Sequence, residues 1–406
     1  MTSVLGHVRV LDLSRILAGP WAGQLFADLG AEVIKVERPG QGDDTRGWGP
    51  PYMKDAEGND AESAYYLSAN RGKRSVAIDI TRPEGQALVK ELAAKSDILL
   101  ENYKVGGLAR YGLDYASLQA VNPGLVYCSI TGFGQTGPYR ERAGYDFLLQ
   151  AMGGLMSITG APDEQGGEPT KAGVALTDIL TGMYATVASL AALAHRERTG
   201  EGQHIDLALL DVQVATLANQ AMNYLVGGQV PQRMGNAHPN IVPYQTFATR
   251  DGYLVLTVGN DDQFRRLAEI MGRPDLPADE RFATNAGRVA HRDGLIPELA
   301  AVFRTRTTDD WLGDLEAAGV PCGPVNSIDR VFDDPQIQAR GMQTYTEHPQ
   351  LGTVPAVANP IRYSATPLKS HAPAPRLGEH TDYVLQGLLG RSGDETEEMR
   401  GAGVIG

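Results

Sequence analysis

A single carboxylate, Asp178, stands near the head of the apolar stretch "KAGVALTDILTGMYATVASLAALAHRER", residues 171–198, flanked by Val174, Ala175, Leu176, Ile179 and Leu180. Two kinds of chemistry fit an aspartate there. An acid just before an apolar-periodic run is a preferred helix N-cap, contributing about 1 kcal/mol. A carboxylate held among apolar groups is also weakly solvated, and such a group serves as base or nucleophile. The residue types alone leave both readings open.

A second stretch with chemical potential is "RILAGPWAG", Arg15–Gly23, after the β-prone run Val8–Ser14. At that place a doubly wound fold presents a helix N-terminus to phosphate groups. Only Gly19 and Gly23 are available, with Pro20 between them, so the dinucleotide fingerprint is missing. Arg38 ends the next β-prone run, where an arginine can contact a ribose phosphate. Arg46, Arg71, Lys73 and Arg74 follow in an otherwise acidic chain. Together they suit a nucleotide-containing ligand with several phosphates, other than NAD; the alternative is a tight turn and solvated surface cations.

Other chemistries find little support. The histidines (His7, His195, His204, His238, His291, His348, His371 and His380) form no HxH or HxxxH pair, so no metal site is expected. There is no GxSxG, and "GVPCGPV" lies in a Pro-rich loop rather than a nucleophile elbow. A net charge of -13 argues against nucleic acid as a partner. Cys128 and Cys322 are too few for a disulfide framework and suit a reducing compartment. The first residues lack a basic-then-apolar leader pattern, and the longest apolar window, Val174–Ala194, carries Asp178 with several Thr and Gly. The expectation is a soluble cytoplasmic protein with a buried helix there rather than a membrane span.

The elements that must position these residues alternate. Val8–Ser14 (strand), Trp21–Ala31 (helix) and Glu32–Arg38 (strand) form a short βαβ unit. Strand and helix patterns continue through residues 74–80, 83–96, 97–103, 113–123 and 125–134, which predicts an α/β fold with a parallel sheet covered by helices. A long helix spans about 179–198, with residues 179, 180, 183, 184, 187, 190, 191 and 194 as its core stripe. A turn, a short strand and a linker helix reach about Gly227. Two β runs around Arg250-Asp251-Gly252 predict a hairpin, and helices are expected near 262–271, 293–303 and 308–318. The domain reading is 1–200, a linker helix 201–227, a small α+β domain 228–327, and a Pro-rich return 328–406 ending in two short helices.

Several segments together resemble one family: "LDLSRILAGPWAGQLFADLGAEVIKVERPGQGDDTRGW", "NRGKRSVAIDI", "SITGFGQTGPYRERAGYDFLLQAMGGLMSITG", "GVALTDILTGMYA", "HRERTGEGQHIDLALLD" and "LGEHTDYVL". The chain is similar to the family III CoA-transferases, which include formyl-CoA and carnitine CoA-transferases and share a fold with α-methylacyl-CoA racemases. The resemblance runs from about residue 5 to 400. It implies a large Rossmann-like domain formed by both chain ends, a smaller inserted domain, and two protomers interlocked as a homodimer.

The resemblance also implies a site. Asp178 falls on the catalytic aspartate, expected to attack an acyl-CoA thioester and to pass CoA through aspartyl anhydride and aspartyl-CoA intermediates to a carboxylic acid, with backbone N–H groups of the helix start stabilising oxyanions. Coenzyme A contacts are implied at Arg15, Ile16, Leu17 and Ala18; at Arg38; at Ile78, Asp79, Ile80 and Thr81; at Asn102, Tyr103, Lys104 and Arg110; at Ile130, Thr131, Gly132 and Phe133; and at Tyr145. A lysine of formyl-CoA transferases is Thr131 here. The catalytic histidine of the racemases is replaced by Tyr145, and a tyrosine with pKa near 10 is a poor α-proton base. The glycine-rich loop of formyl-CoA transferases reads "MGNAHPNIVPYQ" here, which leans toward succinyl-CoA as donor, with Gly235, Asn236, His238 and Asn240 as acceptor-binding candidates. A racemase and a non-catalytic CoA-binding homologue remain the alternatives.

Overall fold

The computed structural model describes residues 3–368 and 372–406, so His371 lies outside the described residues. The chain divides into two compact units: Met1–Gly154, Ala172–Ala221 and Gln336–Gly406 form the first, Leu155–Lys171 and Met222–Pro335 the second.

The first unit is built on strands β1 (Arg9–Asp12), β2 (Glu32–Glu37), β3 (Arg74–Ala77), β4 (Ile98–Glu101), β5 (Val126–Thr131) and β6 (Gln203–Ala208). All pair in parallel, in the order β3-β2-β1-β4-β5-β6. β4 and β5 are buried along their whole length, as strands covered on both faces must be. One face packs α1 (Ala18–Asp28) and α4 (Leu176–Thr199); the other packs α2 (Pro83–Ala94) and the C-terminal residues Val384, Leu385, Val404 and Ile405. The direction of the crossovers reverses between β1 and β4, and ligands of doubly wound sheets sit beyond the carboxyl ends of strands at such a point.

α4 is, among the described residues, the one helix long and apolar enough to cross a membrane by length and composition. Its packing corrects the stripe read from the sequence. The buried face is the small one: Thr181, Gly182, Ala185 and Ser189. A Cβ on Gly182 would meet the Ala18 carbonyl oxygen at 2.7 Å, so α1 and α4 approach as closely as backbones allow. The large residues Met183, Tyr184 and Val187 are left 46–64 % exposed. Hydrophobic periodicity marks a face that wants covering; it does not say which chain covers it.

The linker helix read as continuous is broken: it runs over Leu209–Ala215 and Ala218–Gly227, with Ala218 in the left-handed region at φ 46°. In the return segment the strands Gln343–His348 and Gly352–Val357 form an antiparallel hairpin that the Pro-rich composition did not announce.

The second unit holds an antiparallel sheet in which β8 (Tyr253–Thr257) lies between β7 (Tyr244–Ala248) and β9 (Cys322–Pro324). The hairpin expected around Arg250–Gly252 is present, with Tyr253 opposite Ala248. Phe264, Leu299, Phe303 and Trp311 form its core. Arg288 is fully buried there, donating to the Val242 and Phe282 carbonyls at 2.7 and 3.0 Å and pairing with Asp261 at 2.8 Å. Every buried guanidinium hydrogen that is matched removes a desolvation cost.

Candidate active site

Two cavities open at the carboxyl ends of β1 and β4. The larger, about 500 Å³, is lined by Arg15–Ala18, Asn102–Lys104, Arg110, Ile130–Gly132, Tyr145 and Asp178. The second, about 330 Å³, is lined by Arg38 and Ile78–Thr81. Arg15, Tyr103 and Arg110 belong to both, so the cavities adjoin along these three side chains.

The first loop is fixed from beneath. Ser14 is buried and its N–H donates to Asp12 at 3.0 Å; Asp12 in turn pairs with the buried Lys73 at 2.9 Å. Gly19 and Gly23 are required by this packing: a Cβ at Gly23 would stand 2.7 Å from the Asp12 carboxylate, and one at Gly19 would overlap Ser14. Ile16 takes a left-handed φ of 74°, and Asp43 accepts its N–H at 3.2 Å. Burial pushes the Asp43 carboxyl up, but the Lys35 ammonium 2.9 Å away and the Thr45 donors outweigh it and hold the group at about 2. An ionised acid thus clamps a strained residue at the cavity wall.

Asn102 lines the larger cavity and also holds its wall together. Its amide spans the chain, accepting from the Arg15 N–H at 2.9 Å and donating to the Arg15 carbonyl at 2.7 Å. This pair ties the loop after β1 to the loop after β4. The Arg15 guanidinium lies 5.7 Å from the Tyr103 ring centroid and pairs with Asp44 at 2.9 Å. Thr81 bonds Asp79 through both its N–H and its hydroxyl, at 2.9 and 2.7 Å. The Thr131 hydroxyl accepts from the Gly134 N–H at 2.9 Å.

Asp178 lines the larger cavity, but it is not the N-cap. The helix starts at Leu176 after Ala175, which offers no side-chain cap, and Asp178 is its third residue. The capping acceptor comes from α3 (Asp146–Met152): Asp146 Oδ1 accepts from the Thr177 N–H at 2.8 Å and the Asp178 N–H at 3.3 Å. Those two donors are therefore engaged and do not form the oxyanion site expected at the helix start. Asp146 Oδ2 accepts from Gln150, whose amide oxygen accepts from the Ala172 N–H at 2.9 Å. Among the described residues no side chain donates to the Asp178 carboxylate. Burial and the neighbouring Asp146 charge push Asp178 up to about 7.

Gly132 and Gly144 explain how α3 comes so close. A Cβ on Gly132 would meet the Gly144 Cα at 2.7 Å, so only glycines let this loop press onto the end of β5. Tyr145 projects from the same loop, 61 % exposed, at the cavity wall. Phe133 does not line the cavity; it packs edge-on against Tyr139 at 5.6 Å.

Gly235, Asn236, His238 and Asn240 lie in the second unit, and none of them lines either cavity. Asn236 donates to Thr246 at 2.9 Å, and the Asn240 N–H donates to His238 Nδ1 at 3.0 Å. No group of three His, Cys, Asp or Glu side chains suited to a metal ion occurs among the described residues. Asp146, Asp43 and Arg142 were missed as site residues. The "AGYD" segment carried the first of these signals, an aspartate opening a short helix.

The two adjoining cavities thus run from the Arg38 wall to the half-buried Asp178 carboxylate at the carboxyl ends of β1 and β4. The chain belongs to CoA-transferase family III, whose model matches residues 5–381. It is similar to the succinate–glutarate CoA-transferase of Agrobacterium fabrum, 55 % identical over 95 % of both chains. It is also similar to the succinyl-CoA:glutarate CoA-transferase of Homo sapiens, 45 % identical over 99 % of this chain and 90 % of that one. A CaiB/BaiF family protein from Brucella suis has the same fold, with a TM-score of 0.84 and 52 % identity over 96 % of this chain and 100 % of that one.

Proposed function

We propose that this CoA-transferase moves CoA from succinyl-CoA to a dicarboxylic acid, glutarate first among the candidates, with Asp178 as nucleophile. The observation that carries the reading is the weakly solvated Asp178 carboxylate in the larger cavity, in a chain so similar to succinate–glutarate enzymes. The nucleotide of CoA occupies the Arg38 and Ile78–Thr81 cavity, and its pantetheine passes Tyr103 toward Asp178. The ionised carboxylate attacks the thioester carbonyl; the C–S bond breaks and CoA leaves as thiolate. The thiolate attacks the aspartyl carbonyl of the mixed anhydride, releasing succinate and leaving an aspartyl–CoA thioester. The acceptor carboxylate attacks that thioester and expels the thiolate again. The thiolate then takes the acyl group from the second anhydride, and Asp178 is regenerated as carboxylate. No proton is consumed, which suits a cavity where the nucleophile carries no general base.

The protein acts as an interlocked homodimer in the cytoplasm. The exposed Met183, Tyr184 and Val187, with Leu225, Val226 and Val230 at 67–80 % exposure, supply the apolar surface that such an assembly would cover. Sedimentation at micromolar concentration reads a dimer if this holds and a monomer if it fails.

The activity test incubates the protein with succinyl-CoA and a panel of carboxylates and weighs the new CoA esters by mass spectrometry. Transfer to a dicarboxylate, lost in Asp178→Ala, supports the reading. No ester with any acid, together with deuterium entering the α-carbon of a branched acyl-CoA, overturns it in favour of a racemase. CoA binding without either outcome identifies a non-catalytic homologue.

A further inference from the structure

Five cations line the larger cavity, and Asp178 is the one carboxylate among its lining residues. Their neighbours separate them. Arg15 and Arg110 sit at the junction with the second cavity, where a nucleotide's phosphates would need them, and Lys104 is a point charge without a planar fork. Arg140 leans on Glu141 at 3.5 Å. Arg142 differs. Its guanidinium carbon lies 5.1 Å from the centroid of Phe133 and 4.6 Å from that of Tyr139, two rings set edge-on to each other, and it also reaches the Met152 sulfur at 3.9 Å. Among the described residues no carboxylate lies within ion-pair distance of it, Asp178 included. A guanidinium whose neighbours are two rings and a thioether carries no carboxylate on its planar N–H fork, and a carboxylate fits such a fork in two parallel bonds.

From this we infer that Arg142 binds the distal carboxylate of the dicarboxylate substrates, the one that does not react. The assignment rests on the dicarboxylate reading above and says how it is enforced. Arg142 and Asp178 line one cavity of about 500 Å³, and the assignment places one carboxylate of a short carbon chain at each. The same contact serves the donor, whose succinyl group also ends in a carboxylate. A monocarboxylate of equal length would leave the guanidinium fork empty, and an unfilled polar site discriminates more strongly than a missing methylene does.

The test compares glutarate with pentanoate as acceptors, and succinyl-CoA with butyryl-CoA as donors, in the full-length protein and in Arg142→Gln and Arg142→Lys. In a double-displacement reaction kcat/KM for each partner reports its own half-reaction. The expected result is that Arg142→Gln lowers the glutarate-to-pentanoate ratio of kcat/KM about 100-fold, with the same collapse on the donor side. Arg142→Lys keeps the charge without the fork and falls between. Equal losses for both acceptors show that Arg142 serves CoA or the fold and overturn the assignment, as does an unchanged ratio. A wild-type protein that transfers CoA to monocarboxylates but not to glutarate sinks the dicarboxylate reading together with this one; a wild type that uses glutarate beside an unsplit variant sinks this one alone.

Discussion

Asp146 lends one carboxylate oxygen to two amide hydrogens of the helix that carries Asp178, that of Thr177 at 2.8 Å and that of Asp178 itself at 3.3 Å. The contact fixes the candidate nucleophile's backbone, and the same negative charge opposes its ionisation. Position and reactivity are thus set by one side chain.

Replacing Asp146 by Asn separates these effects. The Asn oxygen still accepts both N–H groups while the charge is gone, so burial alone then raises Asp178. The acid limb of the kcat/KM profile, which rises through about pH 7 as Asp178 ionises, is expected to move to lower pH. Asp146→Ala instead loses the cap and about 1–2 kcal/mol of stability. A pH titration of initial rates beside thermal melts checks both. Tyr65, which faces both acids and is itself pushed up to about 12 by burial and by Asp178, stays neutral throughout.

Asp178→Asn is expected to lower transfer by at least about 10³-fold, since a covalent step is lost. Its effect on stability has the opposite sign. Asp178 is raised from 3.8 to about 7, so its neutral form is the one the fold tolerates. Wild type and variant match below pH 4; the wild type then loses ground as pH rises through 7, and above that the Asn form is more stable by roughly 1–3 kcal/mol. Melts between pH 4 and 8 read the divergence.

The two faces of α4 predict two different failures. Gly182→Val drives a side chain into the Ala18 carbonyl and Trp21 and should cost about 3 kcal/mol or more in the first unit. Val187→Glu, on the exposed face, should leave monomer stability nearly unchanged and weaken assembly. Denaturant melts and sedimentation distinguish them.

Asn102→Ala removes both bonds to the Arg15 backbone. The loop then pays for its own ordering when ligand binds, so CoA affinity is expected to fall about 10-fold at a cost of 1–2 kcal/mol in stability. Calorimetric titration with CoA checks the first and melts the second.

Much of this was legible in the residues. The strand–helix alternation dictates a parallel sheet, and a parallel sheet brings Arg15 and Asn102, 87 positions apart, to one edge because every strand ends there. Other features were not. The periodicity of α4 marked Met183 and Val187 as core, yet both are exposed, because an apolar stripe does not name what covers it. The cap of α4 is supplied from 31 residues upstream, beyond any local capping motif. The buried Lys35–Asp43 and Lys73–Asp12 pairs look in sequence like ordinary surface charges, since only the fold decides that they are desolvated.

The Ile78–Thr81 wall of the second cavity is backed by residues 404–406: Ile405 bridges Ile78, the Asp79 N–H donates to the Val404 carbonyl at 2.8 Å, and the Gly406 N–H to the Ala77 carbonyl at 3.1 Å. The Ile78 and Thr81 N–H groups find their partners at Glu37 and Asp79, whereas the Asp79 N–H and the Ala77 carbonyl depend on residues 404–406. A chain cut before residue 404 keeps Asp178 in its cavity and loses these contacts behind the Ile78–Thr81 wall, so the two halves of the cleft differ in how distant a segment each depends on.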